Sequence, residues 1–180
     1  KRNRPVARGA VTRREAVAIA AALALASLAA AAWVGAIAAG IIVAYLVLNI
    51  AYTLGLKRMP VVDVFVIAAG FMLRILAGTS GIGVEPSQWL LACGFLLTLF
   101  LGFAKRRAEL ARLAEDAAQH REVLDAYTTG FLDKAILVCD VGMVVSYAAY
   151  TVSPDTAALH GTANLILTLP WVLLGTFRYL

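Results

Sequence analysis

The chain has 180 residues, of which 62% are hydrophobic and 15% charged. Soluble domains run at about 45–50% apolar and about 25% charged, so this composition excludes a soluble domain built round one core and calls for lipid to solvate the excess apolar surface. The net charge of +5 does not point to nucleic acid, because the basic residues fall between apolar runs of spanning length.

Residues 1–14 form a basic segment carrying Lys1, Arg2, Arg4, Arg8, Arg13 and Arg14. No initiator Met and no signal-peptide cleavage pattern precede the first apolar run, so the segment reads like the interior of a longer protein. A spanning helix needs about 20 mostly apolar residues. Residues 15–33, 35–56, 61–78 and 88–104 meet or approach that length, which predicts four transmembrane helices over 15–104. The alanines at 29–32 would let neighbouring helices approach closely. Residues 105–130 form a polar connection. Within it, 108–127 is rich in helix formers, with apolar positions at Leu110, Leu113, Ala117, Val123 and Leu124, and predicts an amphipathic cytosolic helix. Thr128-Thr129-Gly130 ends it. Residues 131–152 and 161–177 add two transmembrane helices over 131–180. The predicted fold is all-α: a polytopic transmembrane bundle of about six spanning helices plus one amphipathic helix.

Lys and Arg set the orientation of such a bundle. They cluster in the opening segment, at Lys57-Arg58, at Lys105, Arg106, Arg107, Arg112 and Arg121, and at Arg178. The alternate connections, around Val34, 79–87 and 153–160, contain neither. The alternation predicts that the basic connections, both ends of this chain and any active site lie on the cytoplasmic side of the inner (plasma) membrane.

Three groups of residues could carry chemistry. The first is Asn49-x-x-Tyr52-x4-Lys57-x5-Asp63, spanning a helix end, a short loop and the next helix start. Lys57 and Arg58 can bind phosphate oxygens, and Asp63 can hold Mg²⁺ or pair with a cation. Positive-inside anchoring with an interfacial tyrosine explains Lys57, Arg58 and Tyr52 without a ligand. Asp63 tilts the balance, since an acid at the start of a spanning helix needs a partner. The second is Lys105-Arg106-Arg107-x-Glu109, with His120, Arg121, Tyr127 and Asp133-Lys134 downstream. A triple-basic stop is an ordinary topology signal, and a lone His120 is more often a surface residue than a catalyst. The third is charge within the spans, at Arg74 and Asp140. Each is costly against lipid, so both are expected to face the bundle interior in a structural role, with mutual pairing the weaker expectation. Cys93 and Cys139 have no CxxC spacing or nearby His and read as small packed hydrophobes. No P-loop, HExxH or hydrolytic triad pattern occurs. Many cations with few carboxylates at one face suit a polyanionic substrate with Mg²⁺, handled beside a lipid-soluble partner.

The run Asn49-Ile-Ala-Tyr52-Thr-Leu-Gly-Leu-Lys57-Arg58-Met-Pro-Val-Val-Asp63 resembles the Y…LK…D loop of the UbiA superfamily of membrane transferases. Residues 70–78 resemble that superfamily's following helix. Lys105-Arg106-Arg107-Ala108-Glu109-Leu110, with His120-Arg121 and Tyr127, is similar to its decaprenyl-phosphate phosphoribosyltransferase branch. The opening Lys1-Arg2-Asn3-Arg4-Pro5 resembles the basic stretch after the superfamily's first Asp-rich motif. Aromatic prenyltransferases of the superfamily carry a second Asp-rich motif where this chain has Lys105–Glu109, and the exchange of carboxylates for cations argues against a prenyl diphosphate donor.

The resemblance implies transfer of 5-phosphoribose from phosphoribosyl diphosphate to a polyprenyl phosphate, feeding cell-envelope arabinan synthesis, with Mg²⁺ as cofactor. It implies phosphate contacts at Lys57, Lys105, Arg106 and Arg107. Tyr52 and Asp63 would orient donor or metal, and Arg58, Glu109, His120, Arg121 and Tyr127 are secondary candidates. The first Asp-rich motif, of NDxxDxxxD type, is absent here. The expectation is therefore the C-terminal two-thirds of a nine-helix fold, with the main Mg²⁺ ligands upstream of Lys1 and little activity alone. A homo-oligomer is compatible with all of this. The rival readings are an aromatic prenyltransferase, as in quinone synthesis, and a non-catalytic assembly or transport subunit.

Overall fold

A computed structural model describes residues 8–115 and 127–178. The elements are α1 (Arg13–Val34), α2 (Ala36–Leu54), a 3₁₀ turn (Leu56–Arg58), α3 (Val62–Ile82), α4 (Gln88–Glu115), α5 (Thr129–Val152), α6 (Pro154–His160), a second 3₁₀ segment (Asn164–Thr168) and α7 (Leu169–Phe177). No strand occurs among the described residues. The helices α1, α2, α3, α4 as far as Ala111, and α5 are long and apolar enough to cross a membrane, and α6 with Asn164–Phe177 makes a sixth candidate, bent by 88°.

Local chemistry sets the ends. Thr12 and Glu15 form a capping box at the start of α1: the Thr12 hydroxyl accepts from the Glu15 N–H, and Glu15 Oε2 accepts from the Thr12 N–H. One residue, Gly35, separates α1 from α2, at φ 155 and ψ 166, a region open essentially to glycine alone. Gly83 ends α3 in the left-handed conformation, and the Thr128 hydroxyl caps α5 by accepting from the Phe131 N–H.

Neighbours in sequence pack as neighbours in space, with α4 against α5 the most extensive pair, followed by α2–α3, α3–α4 and α1–α2. The core lies among α3, α4 and α5 and holds Val64, Ala68, Leu99, Phe100, Phe103, Leu132, Ile136 and Cys139. Small residues permit close crossings: Ala31, within the expected alanine stretch, is the buried residue of α1, and glycines serve α4 and α5. A Cβ on Gly102 would sit 2.4 Å from Val64 Cγ1, and one on Gly142 would sit 3.1 Å from Leu96 Cδ1. Both cysteines are free thiols; Cys139 is buried in the core and Cys93 is half-buried.

Two expected boundaries move. No break separates the fourth span from the polar stretch after it: α4 runs on through Lys105–Glu109 to Glu115. Those residues are strong helix formers without glycine or proline, and Leu110 packs against the core. The rest of the expected amphipathic helix, 116–126, lies outside the described residues. The expected span at 161–177 is not one straight helix. Pro154 and Pro170 restart helices at their first turns, and α7 has nine residues, about 13 Å of helix.

Candidate active site

Helices α3 and α4 bring together residues 43 positions apart. Arg106 Nε donates to Asp63 Oδ2 at 2.8 Å, and Nη2 lies 2.7 Å from the same oxygen in an ion pair. Its Nη1 donates to Glu109 Oε2 at 2.7 Å, one helical turn on. The Tyr127 hydroxyl, just before α5, donates to the other Asp63 oxygen, Oδ1, at 2.9 Å. Asp63 is fully buried and Arg106 is 3% exposed. An ion pair this deep persists only when both partners are hydrogen-bonded, and here each is.

The turn before α3 is drawn into the same network. Val61 has φ 68 and ψ −51, and the Val62 N–H donates back to Pro60 O at 2.7 Å. This is the strained, positive-φ form of the γ-turn, on a β-branched residue that disfavours it. The Val61 N–H donates to the Tyr127 hydroxyl, so one phenol accepts from the strained turn and donates to Asp63. Burial is the main cause that pushes the Tyr127 hydroxyl up to about 12; the Val61 N–H opposes the rise and the Asp63 carboxylate adds to it.

The cations expected to meet phosphate divide into groups. Arg106 is not free for a substrate, because two carboxylates hold it. Arg107 pairs with Asp133 at 2.8 Å on a half-exposed surface. Lys57 is half-buried on the 3₁₀ turn, while Arg58 and Lys105 are exposed. None of these three forms an ion pair among the described residues. His120 and Arg121 lie outside the described residues. Asp63, the expected Mg²⁺ ligand, has both its oxygens occupied, by Arg106 and Tyr127. Among the described residues no three His, Cys, Asp or Glu side chains are grouped to hold a metal. These residues do not fit a Mg²⁺ site.

Tyr52 stands apart from this network. It lines a cavity of about 130 Å³ between α2 and α3, together with Tyr45, Asn49, Gly70, Phe71 and Arg74. Tyr45, Asn49 and Tyr52 follow one another at i, i+4 and i+7, on one face of α2. On α3, Asp63, Ile67, Gly70 and Arg74 run at spacings of four, three and four, so the buried pair and the cavity share one face of that helix. Arg74 does not face a closed bundle interior as expected. It is exposed, donates to the Tyr45 hydroxyl, and lies over the rings of Tyr45 and Phe71, 4.9 and 5.2 Å from their centroids. Asp140 is buried, as expected, and its Oδ1 has no hydrogen-bond partner among the described residues. Arg74 and Asp140 form no pair. Tyr45 is a site residue that the sequence reading lacks, and Asp133, expected near the second group, has Arg107 as its partner. A polar stripe on an apolar helix signals Tyr45, whereas nothing in the local sequence marks Asp133 as the partner of Arg107.

The description of the UbiA prenyltransferase family matches residues 1–180, the whole chain. The chain belongs to the UbiA prenyltransferase family. With its apolar helices, this UbiA-family chain is an integral membrane protein. It is 34% identical to a decaprenyl-phosphate phosphoribosyltransferase of Mycolicibacterium smegmatis over 87% of its own length and 49% of that protein. The protein so named in Mycobacterium tuberculosis H37Rv is 31% identical over 86% of this chain and 51% of its own. The one in Corynebacterium glutamicum is 36% identical over 59% of this chain and 32% of its own. The UbiA-family chain thus spans about half the length, or less, of these curated relatives.

Proposed function

We propose that this chain forms part of a membrane transferase that moves a 5-phosphoribosyl group from phosphoribosyl diphosphate to a polyprenyl phosphate, for cell-envelope arabinan synthesis. In the reaction the bond from ribose C1 to the diphosphate oxygen breaks, and the diphosphate leaves with the electron pair. A phosphate oxygen of the acceptor supplies the pair for the new C1–O bond. Negative charge gathers on the leaving diphosphate, so fixed cations near it lower the barrier.

The observation that carries this reading is the basic end of α4. Where aromatic prenyltransferases of the superfamily have paired carboxylates, this chain has Lys105, Arg106 and Arg107. Arg106 spends its charge on Asp63 and Glu109, which makes it a strut joining α4 to the start of α3. The free cations Lys57, Arg58 and Lys105 flank that strut and are assigned to phosphate. Tyr52, in the cavity, is assigned to orienting the donor. Asp63 and Tyr127 are positioning residues for the turn that carries Lys57, and Glu109 supports Arg106. Arg107 reaches phosphate only by giving up Asp133. The positive-inside bias assigns this end to the cytoplasmic face of the plasma membrane, with the polyprenyl tail in lipid.

A donor titration with the full-length protein tests the proposal. Wild type saturates with phosphoribosyl diphosphate when polyprenyl phosphate is present. Lys57→Ala and Lys105→Ala each raise the donor KM about tenfold or more, the loss of one charge-assisted contact. Lys57→Ala kinetics equal to wild type remove Lys57 from the site. Turnover only with a prenyl diphosphate and an aromatic acceptor replaces the reading with aromatic prenylation.

A further inference from the structure

The cavity between α2 and α3 ends on a cation, Arg74, that no carboxylate among the described residues neutralises. Arg74 lies eleven residues beyond Asp63 on one continuous helix, about 16 Å along its axis and within hydrocarbon depth. A guanidinium has five N–H donors and no acceptor. One of them, on Nη2, goes to the Tyr45 hydroxyl, and the faces of Tyr45 and Phe71 flank the group. No carboxylate among the described residues lies within ion-pairing distance. Asp63 is spent on Arg106 and Tyr127, and Asp140, buried on α5, does not reach it.

An arginine at this depth is costly unless an anion or a polar cavity compensates it. Here Tyr45, Asn49 and Tyr52 supply polar atoms to a cavity whose other lining side chains, Leu48, Val66, Ile67 and Phe71, are apolar. Asn49 and Tyr52 stand on the same side of α2 as Tyr45, and Gly70 opposite them leaves the Tyr45 ring 3.7 Å from the position a Cβ would take. Two ring faces and a hydroxyl hold the guanidinium in a fixed place, which is how arginine is set up to meet a planar or tetrahedral oxyanion with two donors.

We infer that Arg74 and Tyr45 form the anion-binding end of this cavity and take a phosphate monoester. The inference rests on the phosphoribosyl-transfer reading and deepens it, because both proposed substrates carry such a group: the acceptor lipid phosphate and the 5-phosphate of the donor. Asn49 and Tyr52 then line the part of the cavity occupied by what is attached to that phosphate. No bond is made or broken at Arg74; its role is to hold and orient.

The test measures binding to the full-length protein in lipid nanodiscs, with ribose 5-phosphate, a short-chain polyprenyl phosphate and, as the uncharged control, the matching polyprenol. Arg74→Gln, Arg74→Lys and Tyr45→Phe are compared with wild type, and a melting temperature is taken for each. Arg74→Gln is expected to weaken one of the two phosphate monoesters roughly ten- to a hundredfold, with polyprenol binding unchanged. Arg74→Lys recovers part of the loss, and Tyr45→Phe weakens the same ligand less. The monoester that loses affinity identifies the source of the phosphate. If both monoesters bind wild type and Arg74→Lys and Arg74→Gln bind them equally well, the inference fails while the transfer reading stands. Wild-type protein that binds neither monoester overturns both.

Discussion

Arg106 reaches across from α4 to Asp63 at the start of α3, its Nε donating to Oδ2 at 2.8 Å and its Nη2 lying 2.7 Å from the same oxygen. The pair is buried, and it joins the two helices at the end where the free cations gather. Removing one member strands the other. Arg106→Gln leaves a buried carboxylate without its countercharge and is expected to destabilise the protein by about 3–5 kcal/mol. The double variant Asp63→Asn/Arg106→Gln is expected to lose less than the two single changes together. Thermal unfolding in detergent, arranged as a double-mutant cycle, measures this; additive losses contradict the strut.

Tyr127 ties the same carboxylate to the turn before α3. Its hydroxyl is pushed up to about 12, against an ordinary value of about 10. A raised value in the folded state favours the protonated form, so its contribution to stability is complete below about pH 10 and is lost as pH rises toward 12. The difference in phenolate absorbance between wild type and Tyr127→Phe is expected to titrate near 12. A midpoint at the ordinary value contradicts the buried double hydrogen bond.

The strained turn makes a sharper prediction. At Val61, φ is 68, which a residue with a Cβ adopts at a cost and glycine does not. Val61→Gly and Val61→Ala both delete the side chain's packing, so their difference isolates the backbone. Glycine is expected to be the more stable replacement by about 1 kcal/mol. Equal melting temperatures, or the reverse order, remove the strain.

Gly102 lets α4 approach α3. A methyl group there would meet Val64 Cγ1 at 2.4 Å, so Gly102→Ala is expected to cost about 1–3 kcal/mol through overpacking. Val64→Ala opens the space, and the double variant Gly102→Ala/Val64→Ala is expected to be more stable than the two single losses added together. A silent Gly102→Ala contradicts the close crossing.

Much of the fold is legible in the sequence, because long apolar runs have few alternatives. Hydropathy marks where lipid ends, however, and not where a helix ends, and so α4 runs past Ala104 to Glu115. The last apolar run hides its break: Pro170 sits inside it and restarts the helix. Asp63 reads as an acid in need of a partner, yet the partner depends on how α3 crosses α4, which no local pattern states. The same dependence separates Lys57 and Lys105 from Arg106, three similar cations with different fates. Arg74 is legible as an intramembrane charge, but its side of α3 follows from the 4-3-4 spacing with Asp63 and Gly70. That spacing puts it against Tyr45 instead of Asp140.

The identity of the transferred group separates phosphoribosyl transfer from prenylation. The most direct measurement uses phosphoribosyl diphosphate labelled in the ribose, incubated with membranes holding the full-length protein. Label is expected to enter the organic-soluble fraction only when polyprenyl phosphate is supplied, with one diphosphate released for each labelled lipid. Label that stays in water, while a labelled prenyl diphosphate passes its chain to an aromatic acceptor in the same membranes, would contradict phosphoribosyl transfer.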